Sequence, residues 1–308
     1  MAHRDIEAEI EPLNLLRDAP HAEAAAGLRK ALGDRANLVV AKAARLAAEL
    51  GRSDLVPDLL RAFDRLMENG AARDPQCWGK NALAKALIDL EHRDSPPFLR
   101  GMRHIQMEPV WGRLEDMAQN LRGICLLALP ACADLVREEI MRRLLDGLTD
   151  PANNVRREAV RALEQMEGEE SALLLRLKAR LGDEEAAVVG QVFDSLLKLE
   201  RGRAIPFVAA FLGSPATEVR EEGALALGAS RLDGTVELLR GALEAAPDPD
   251  FRRVLLRALS SSRQEDAIEL LLALLREGSR ADSAAALEAL EIHRDSPEIW
   301  NRVANFGP

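Results

Sequence analysis

The amino-acid sequence predicts an all-α fold, an α-solenoid (superhelix) of about eight helix pairs, from its composition, a recurring leucine and the helical spacing of apolar residues. Apolar residues make up 47% of the 308 residues, aromatic residues make up 3%, and there is no Tyr. Leu and Ala therefore supply most of the apolar surface, which suits packed helices better than sheets. We expect no β-strands anywhere in the chain.

One leucine position marks a repeat along the chain. Successive copies lie 31 to 42 residues apart, a range typical of helical repeat arrays. Each period contains two helical stretches, and a single pair of such helices cannot bury its own apolar stripe. We therefore predict that residues 1–308 form a single array of stacked pairs. The eight copies are Leu46, Leu87, Leu129, Leu163, Leu196, Leu227, Leu259 and Leu290.

The two helices of a pair are clearest between residues 150 and 181. In a second helix, Val155, Ala159 and Leu163 recur at the spacing of one helical face. The first helix of the following pair spans Glu170 to Leu181, and its leucines are expected to form its apolar side. These leucines are Leu173, Leu174, Leu177 and Leu181.

An acidic residue precedes a basic residue by six positions in several repeats, most clearly at Asp150 and Arg156. This pattern resembles the HEAT-repeat family, including the bacterial subset named after HEAT-like phycobilisome lyases. The resemblance covers nearly the whole chain and implies a ladder of acidic and basic side chains between neighbouring repeats. The in-register bases, here called the basic ladder, are Lys80, Arg122, Arg156, Arg220 and Arg252.

The pattern is interrupted where Ser214 replaces the Asp and where Val189 replaces the Arg. Residues 38–45 and 281–290 lack the basic residue in register. We therefore expect residues 1–50 and 265–308 to be terminal capping repeats.

Two interpretations of the basic ladder are open. It could follow a phosphate backbone, as the resemblance to HEAT-like alkylpurine DNA glycosylases suggests. Alternatively, the Asp partners neutralise it and its role is structural. The formal net charge of −10 and the pI near 5.2 disfavour nucleic acid, so we favour the structural role.

A second candidate is the polar and aromatic stretch Phe98–Gly112. Such density is typical of a binding anchor, since Trp and Arg supply large contact area with a directed polar group. The alternative is a long first helix ending at Pro109, with Trp111 filling a gap in the stack. The residues predicted to bind a partner are Trp78, Arg103, His104, Gln106, Glu108, Trp111 and Arg122.

Catalytic chemistry has little support in the sequence. His104 and Glu108 are four residues apart and would share one helical face, but they lack a third ligand or a nucleophile. We expect no metal and no cofactor. Walker, dinucleotide-binding, paired CxxC and HExxH motifs do not occur.

Three functions remain, and the favoured one is a non-enzymatic scaffold that binds a protein or peptide. The first alternative is a nucleic-acid-binding or glycosylase-like protein. The second is a lyase-like enzyme or chaperone that acts on a partner-bound ligand, which would need a pocket lined by His104, Glu108 or Asp116. Three cysteines without metal-ligand spacing and an N-terminal region without an apolar stretch favour the cytoplasm. The longest apolar run, residues 124–133, is about half of what a membrane span needs, so no membrane association is expected.

Overall fold

The structure is a computed structural model that describes residues 6–304. It divides into two compact units, Met1–Gln165 and Met166–Pro308. Residues 1–5 and 305–308 of the predicted capping repeats lie outside the described residues. The single continuous array over 1–308 stays a prediction, and so do the capping roles.

The first unit contains ten helices and a two-stranded hairpin among its described residues. In chain order these elements are α1 (Ile6–Leu15), α2 (His21–Leu32), α3 (Asn37–Glu49), α4 (Val56–Met67), α5 (Gly70–Arg73), α6 (Trp78–Asp89), α7 (Pro96–Gly101), β1 (Met107–Val110), β2 (Arg113–Asp116), α8 (Gln119–Ala128), α9 (Arg137–Leu148) and α10 (Asn153–Met166).

The second unit is built from nine helices in the part of the chain that is described. These are α11 (Gly168–Leu181), α12 (Ala186–Glu200), α13 (Ile205–Ala209), α14 (Thr217–Ser230), α15 (Thr235–Ala245), α16 (Pro249–Ser262), α17 (Glu265–Glu277), α18 (Arg280–Leu290) and α19 (Pro297–Ala304). Short 3₁₀ turns in both units are Ser53–Leu55, Pro75–Cys77, Leu129–Ala131, Arg201–Arg203, Ala210–Gly213 and Glu291–His293.

Successive helices form pairs, and the second helices of neighbouring pairs pack side by side. In the first unit α3 contacts α6, and α6 contacts α8. In the second unit α12, α14, α16 and α18 follow one another in the same way. The predicted all-α solenoid of about eight helix pairs is confirmed. All eight leucines that mark the repeat are buried.

Close approach of helix backbones contributes to this packing. A Cβ atom built on Gly228 of α14 would lie 2.1 Å from the backbone oxygen of Ala258 in α16. No side chain fits in that space, so the glycine permits the contact between the two helices. At the start of α16, the Asp248 carboxylate accepts a hydrogen bond from the backbone N–H of Asp250, 3.0 Å away, which stabilises the helix N-terminus.

Two expectations about local structure are wrong. The chain does contain strands, β1 and β2, between α7 and α8. In α11 the buried face is formed by Ala172, Leu175 and Ala179, whereas Leu173, Leu177 and Leu181 are exposed. Leucines at helical spacing occupy both sides of this helix, and the buried side is the one that also carries the small residues.

Candidate functional site

The β-hairpin is the most distinctive feature of the first unit. Its strands are antiparallel, with Met107 opposite Asp116 and Val110 opposite Arg113. Trp111 and Gly112 form a two-residue turn with φ values of 48° and 82°. Two positive φ angles define a type I′ turn, which usually carries Asn-Gly. A bulky residue such as Trp rarely adopts positive φ, so Trp111 is held at the tip against its conformational preference.

The hairpin exposes apolar side chains instead of burying them. Trp111 is fully exposed, with a relative accessibility of 101%. Ile105, Met107 and Leu114 are exposed as well. Since Pro109 pairs with Leu114 and alternate strand residues share a face, Met107, Pro109 and Leu114 lie on one side of the hairpin. We call the exposed set the hairpin surface: Ile105, Met107, Pro109, Trp111 and Leu114.

Asp116 anchors the end of the hairpin. One carboxylate oxygen accepts hydrogen bonds from the backbone N–H groups of Gln106 and Ala118, each 3.0 Å away, and the other accepts from the Arg122 guanidinium. Burial acts to raise the pKa of Asp116, but these hydrogen bonds outweigh it and hold the pKa below its ordinary value. The carboxylate is therefore charged and fully engaged in holding the hairpin.

Gln106 and Glu108 connect the hairpin to the preceding repeat. The buried Gln106 side chain donates to the backbone oxygen of Asp74, 2.9 Å away, and to the Glu108 carboxylate. Glu108 also accepts from the backbone N–H of Gln76 at 2.8 Å. The Trp78 indole donates to the Gln76 side chain at 3.1 Å, so Trp78 belongs to the same polar network.

His104 lies half-buried at the base of the hairpin, and its Nε2 is 3.2 Å from Gln106 Oε1. Since that oxygen can only accept, Nε2 carries the proton. Burial lowers the pKa of His104, although the hydrogen bond to Gln106 opposes this. The imidazole is therefore neutral at pH 7. Its neighbour Arg103 is exposed.

The five residues of the basic ladder lie on α6, α8, α10, α14 and α16, each the second helix of its pair. Lys80 lies 3.1 Å from the buried Asp74 carboxylate, as the six-residue spacing predicts. Arg156 donates to the backbone oxygens of Asp150 and Pro151, at 2.8 and 3.0 Å.

Three arginines of the ladder form ion pairs with an Asp of the following repeat. Their ion pairs are Arg122 with Asp150, Arg220 with Asp248, and Arg252 with Asp282. All five bases are therefore engaged within the protein.

The seven residues predicted to bind a partner have different roles. Trp111 and Arg103 are accessible at the surface, and so is part of Trp78. Gln106 and Arg122 are buried and hold the hairpin in place.

The placement of His104 and Glu108 on one helical face is wrong, because Glu108 lies on β1 and His104 lies in the preceding turn. The suggestion that Trp111 fills a gap in the stack is also wrong. Leu114 lies outside the predicted stretch Phe98–Gly112, and Met107 lies inside it but was not among the residues predicted to bind a partner.

The described residues contain neither a metal-binding cluster nor a membrane-spanning helix. No group of three or more His, Cys, Asp or Glu side chains among residues 6–304 is arranged to hold a metal ion. Of the helices described above, none has the length and apolar character to span a membrane.

Comparison with known proteins gives one family match. A model described as HEAT repeats matches residues 205–291. Similar solved structures include the complex of CpcE and CpcF of phycocyanin lyase from Nostoc sp. PCC7120, with 19% identity, a TM-score of 0.38, and coverage of 79% of this chain and 94% of that chain. Human deoxyhypusine hydroxylase in complex with glycerol is another, with 17% identity, a TM-score of 0.30, and coverage of 95% and 92%. No curated protein sequence matches the chain.

Proposed function

Since this chain is a HEAT-repeat protein, we propose that it is a non-enzymatic scaffold that binds a protein or peptide partner through the hairpin surface. Helical repeat arrays offer extended surfaces for binding. The hairpin adds a projecting apolar feature to such a surface.

The observation that carries the proposal is the conformation and exposure of Trp111. A fully exposed Trp loses contact with the protein interior, and its positive φ costs about 1 kcal/mol or more. Neither property stabilises the fold. Both are useful for an anchor, because Trp supplies a large apolar area and an N–H donor to a partner's pocket.

The rigidity of the hairpin base supports the same function. Asp116, Gln106 and Glu108 fix the strands by hydrogen bonds to two segments. One is the turn at residues 74–76 and the other is Ala118, the residue before α8. A binding surface that is already ordered loses less conformational entropy when a partner binds. The network therefore keeps the hairpin tip ordered before a partner binds.

The alternatives receive less support. Nucleic-acid binding through the basic ladder would need free positive charges, whereas each of the five bases has an Asp or backbone oxygen partner. A lyase-like role would use His104, Glu108 or Asp116, and these side chains are engaged in holding the hairpin.

The experiment is a pull-down from an extract of the cells that produce the protein, with Trp78→Ala plus Trp111→Ala compared with the unaltered chain. We expect the double variant to lose a partner that the unaltered chain retains. A matched control is Leu181→Ala, which removes another exposed apolar side chain, from α11. If the double variant folds normally and keeps every partner, the hairpin surface is not the binding site.

A further inference from the structure

A cavity of about 450 Å³ lies on the second helices of the first unit, apart from the hairpin surface. Its lining comes from α6, α8 and α10 at helical spacing, so each helix contributes one face. The lining residues are Asn81, Lys85, Asn120, Gly123, Ile124, Leu127, Asn154, Glu158 and Arg161.

Two hydrogen-bond acceptors in the polar wall of this cavity have no donor partner. Asn154 donates to Asn120 at 3.0 Å, and one oxygen of Glu158 accepts from Arg161 at 2.8 Å. Asn81 Oδ1 and Glu158 Oε2 are shielded from solvent and have no hydrogen-bond donor among the described residues. Buried acceptors normally have a hydrogen-bond partner. A ligand that carries N–H groups would supply the missing donors.

The charges and the apolar side chains of the lining further restrict which chemical group this cavity can bind. The Glu158 side chain is 27% exposed, against 42% for Arg161, and Lys85 is exposed at the rim. Solvent screens the two cations more than the carboxylate, so the inner wall favours a positive group. Ile124 and Leu127 are half-buried in the same cavity and suit an aliphatic stem.

We propose that this cavity binds the side chain of an arginine from a basic segment of a protein partner. A guanidinium offers five N–H donors in a plane, which suits the two acceptors that Asn81 of α6 and Glu158 of α10 contribute to the lining. The net charge of −10 attracts a basic partner to the chain as a whole. This site does not depend on the hairpin surface.

The test uses acetyl-arginine amide as the probe and methyl NMR of Ile124 and Leu127 as the readout. We expect saturable shifts with acetyl-arginine amide and none with acetyl-citrulline amide, which has the same shape without the charge. Equal responses to the two probes, or no saturation, would overturn the proposal. Because the probe needs no natural partner, this result is independent of the pull-down.

Two variants test whether the cavity prefers a cation or an anion. Glu158→Gln keeps the shape and should weaken binding about tenfold, because hydrogen bonds to charged groups are the stronger ones. Lys85→Met removes a repelling cation and should tighten binding about twofold. Weaker binding of acetyl-arginine amide by Lys85→Met would show that the cavity suits an anion and would refute the inference.

Discussion

Arg122 of α8 binds Asp150 of the next repeat through two parallel hydrogen bonds, 2.8 Å from Nε to Oδ2 and 3.0 Å from Nη2 to Oδ1. The same guanidinium holds Asp116 at the end of the hairpin and donates to the backbone oxygen of His104 at 3.1 Å. One buried arginine therefore joins the hairpin to the stack of helix pairs.

Replacing Asp150 by Ala should destabilise the protein by about 2 to 4 kcal/mol, because it leaves part of a buried guanidinium without its partner. Asp248→Ala is a matched control, because both carboxylates accept a hydrogen bond from the backbone N–H two residues further on. Asp248 pairs with the more exposed Arg220. It should cost about 1 kcal/mol. Urea unfolding measures both free energies, and equal losses would contradict the prediction.

Trp111→Asn separates the fold of the hairpin from its binding role. Asn tolerates positive φ, and Asn-Gly is the preferred type I′ turn. We expect the midpoint of thermal unfolding to stay the same or rise, while the partner captured in the pull-down is lost. A fall in thermal stability would mean that the Trp111 side chain supports the fold.

Gly228→Ala should destabilise the second unit by about 2 kcal/mol or more, because the added methyl group meets the backbone of Ala258, which cannot move aside. Gly241→Ala in α15 is the control, since nothing lies within 4 Å of its Cβ position. That change should stabilise the helix by about 0.5 to 1 kcal/mol. Denaturant unfolding of both variants measures the two changes in the free energy of unfolding, which should have opposite signs.

Stability should fall as the pH drops below about 6.5, the ordinary pKa of histidine. Burial lowers the pKa of His104 in the folded state, so in this range the unfolded chain binds more protons at this residue. The stabilisation is fully present above pH 6.5 and is lost as the pH falls toward the lowered pKa. His293 is shifted in the same direction by burial.

NMR titration of the imidazole signals measures this shift directly. The midpoint for His104 should lie below that of the same residue in urea-unfolded protein. His104→Gln should reduce the loss of stability between pH 7 and pH 5.5 and leave the contribution of His293. A folded-state midpoint at or above the unfolded one would contradict the burial of His104.

The candidate site was only partly predictable. Trp111 and His104 stood out because the chain has only three Trp and five His residues. The hairpin conformation could not be predicted, because residues 107–116 are too few and too mixed in polarity to show a helical or a strand period. Trp111 at the first turn position also hides the hairpin, because Asn or Asp is usual there.

The sequence by itself determined the all-α fold and its repeat, because buried leucines at helical spacing require stacked helix pairs whatever the details of packing. It also placed the basic ladder on the second helices. Only the tertiary structure decided that Arg122 pairs with Asp150, that α11 buries Leu175 and exposes Leu177, and that Trp111 projects from a hairpin. These outcomes depend on which side chains meet across neighbouring elements, and residue spacing along one helix carries no information about that.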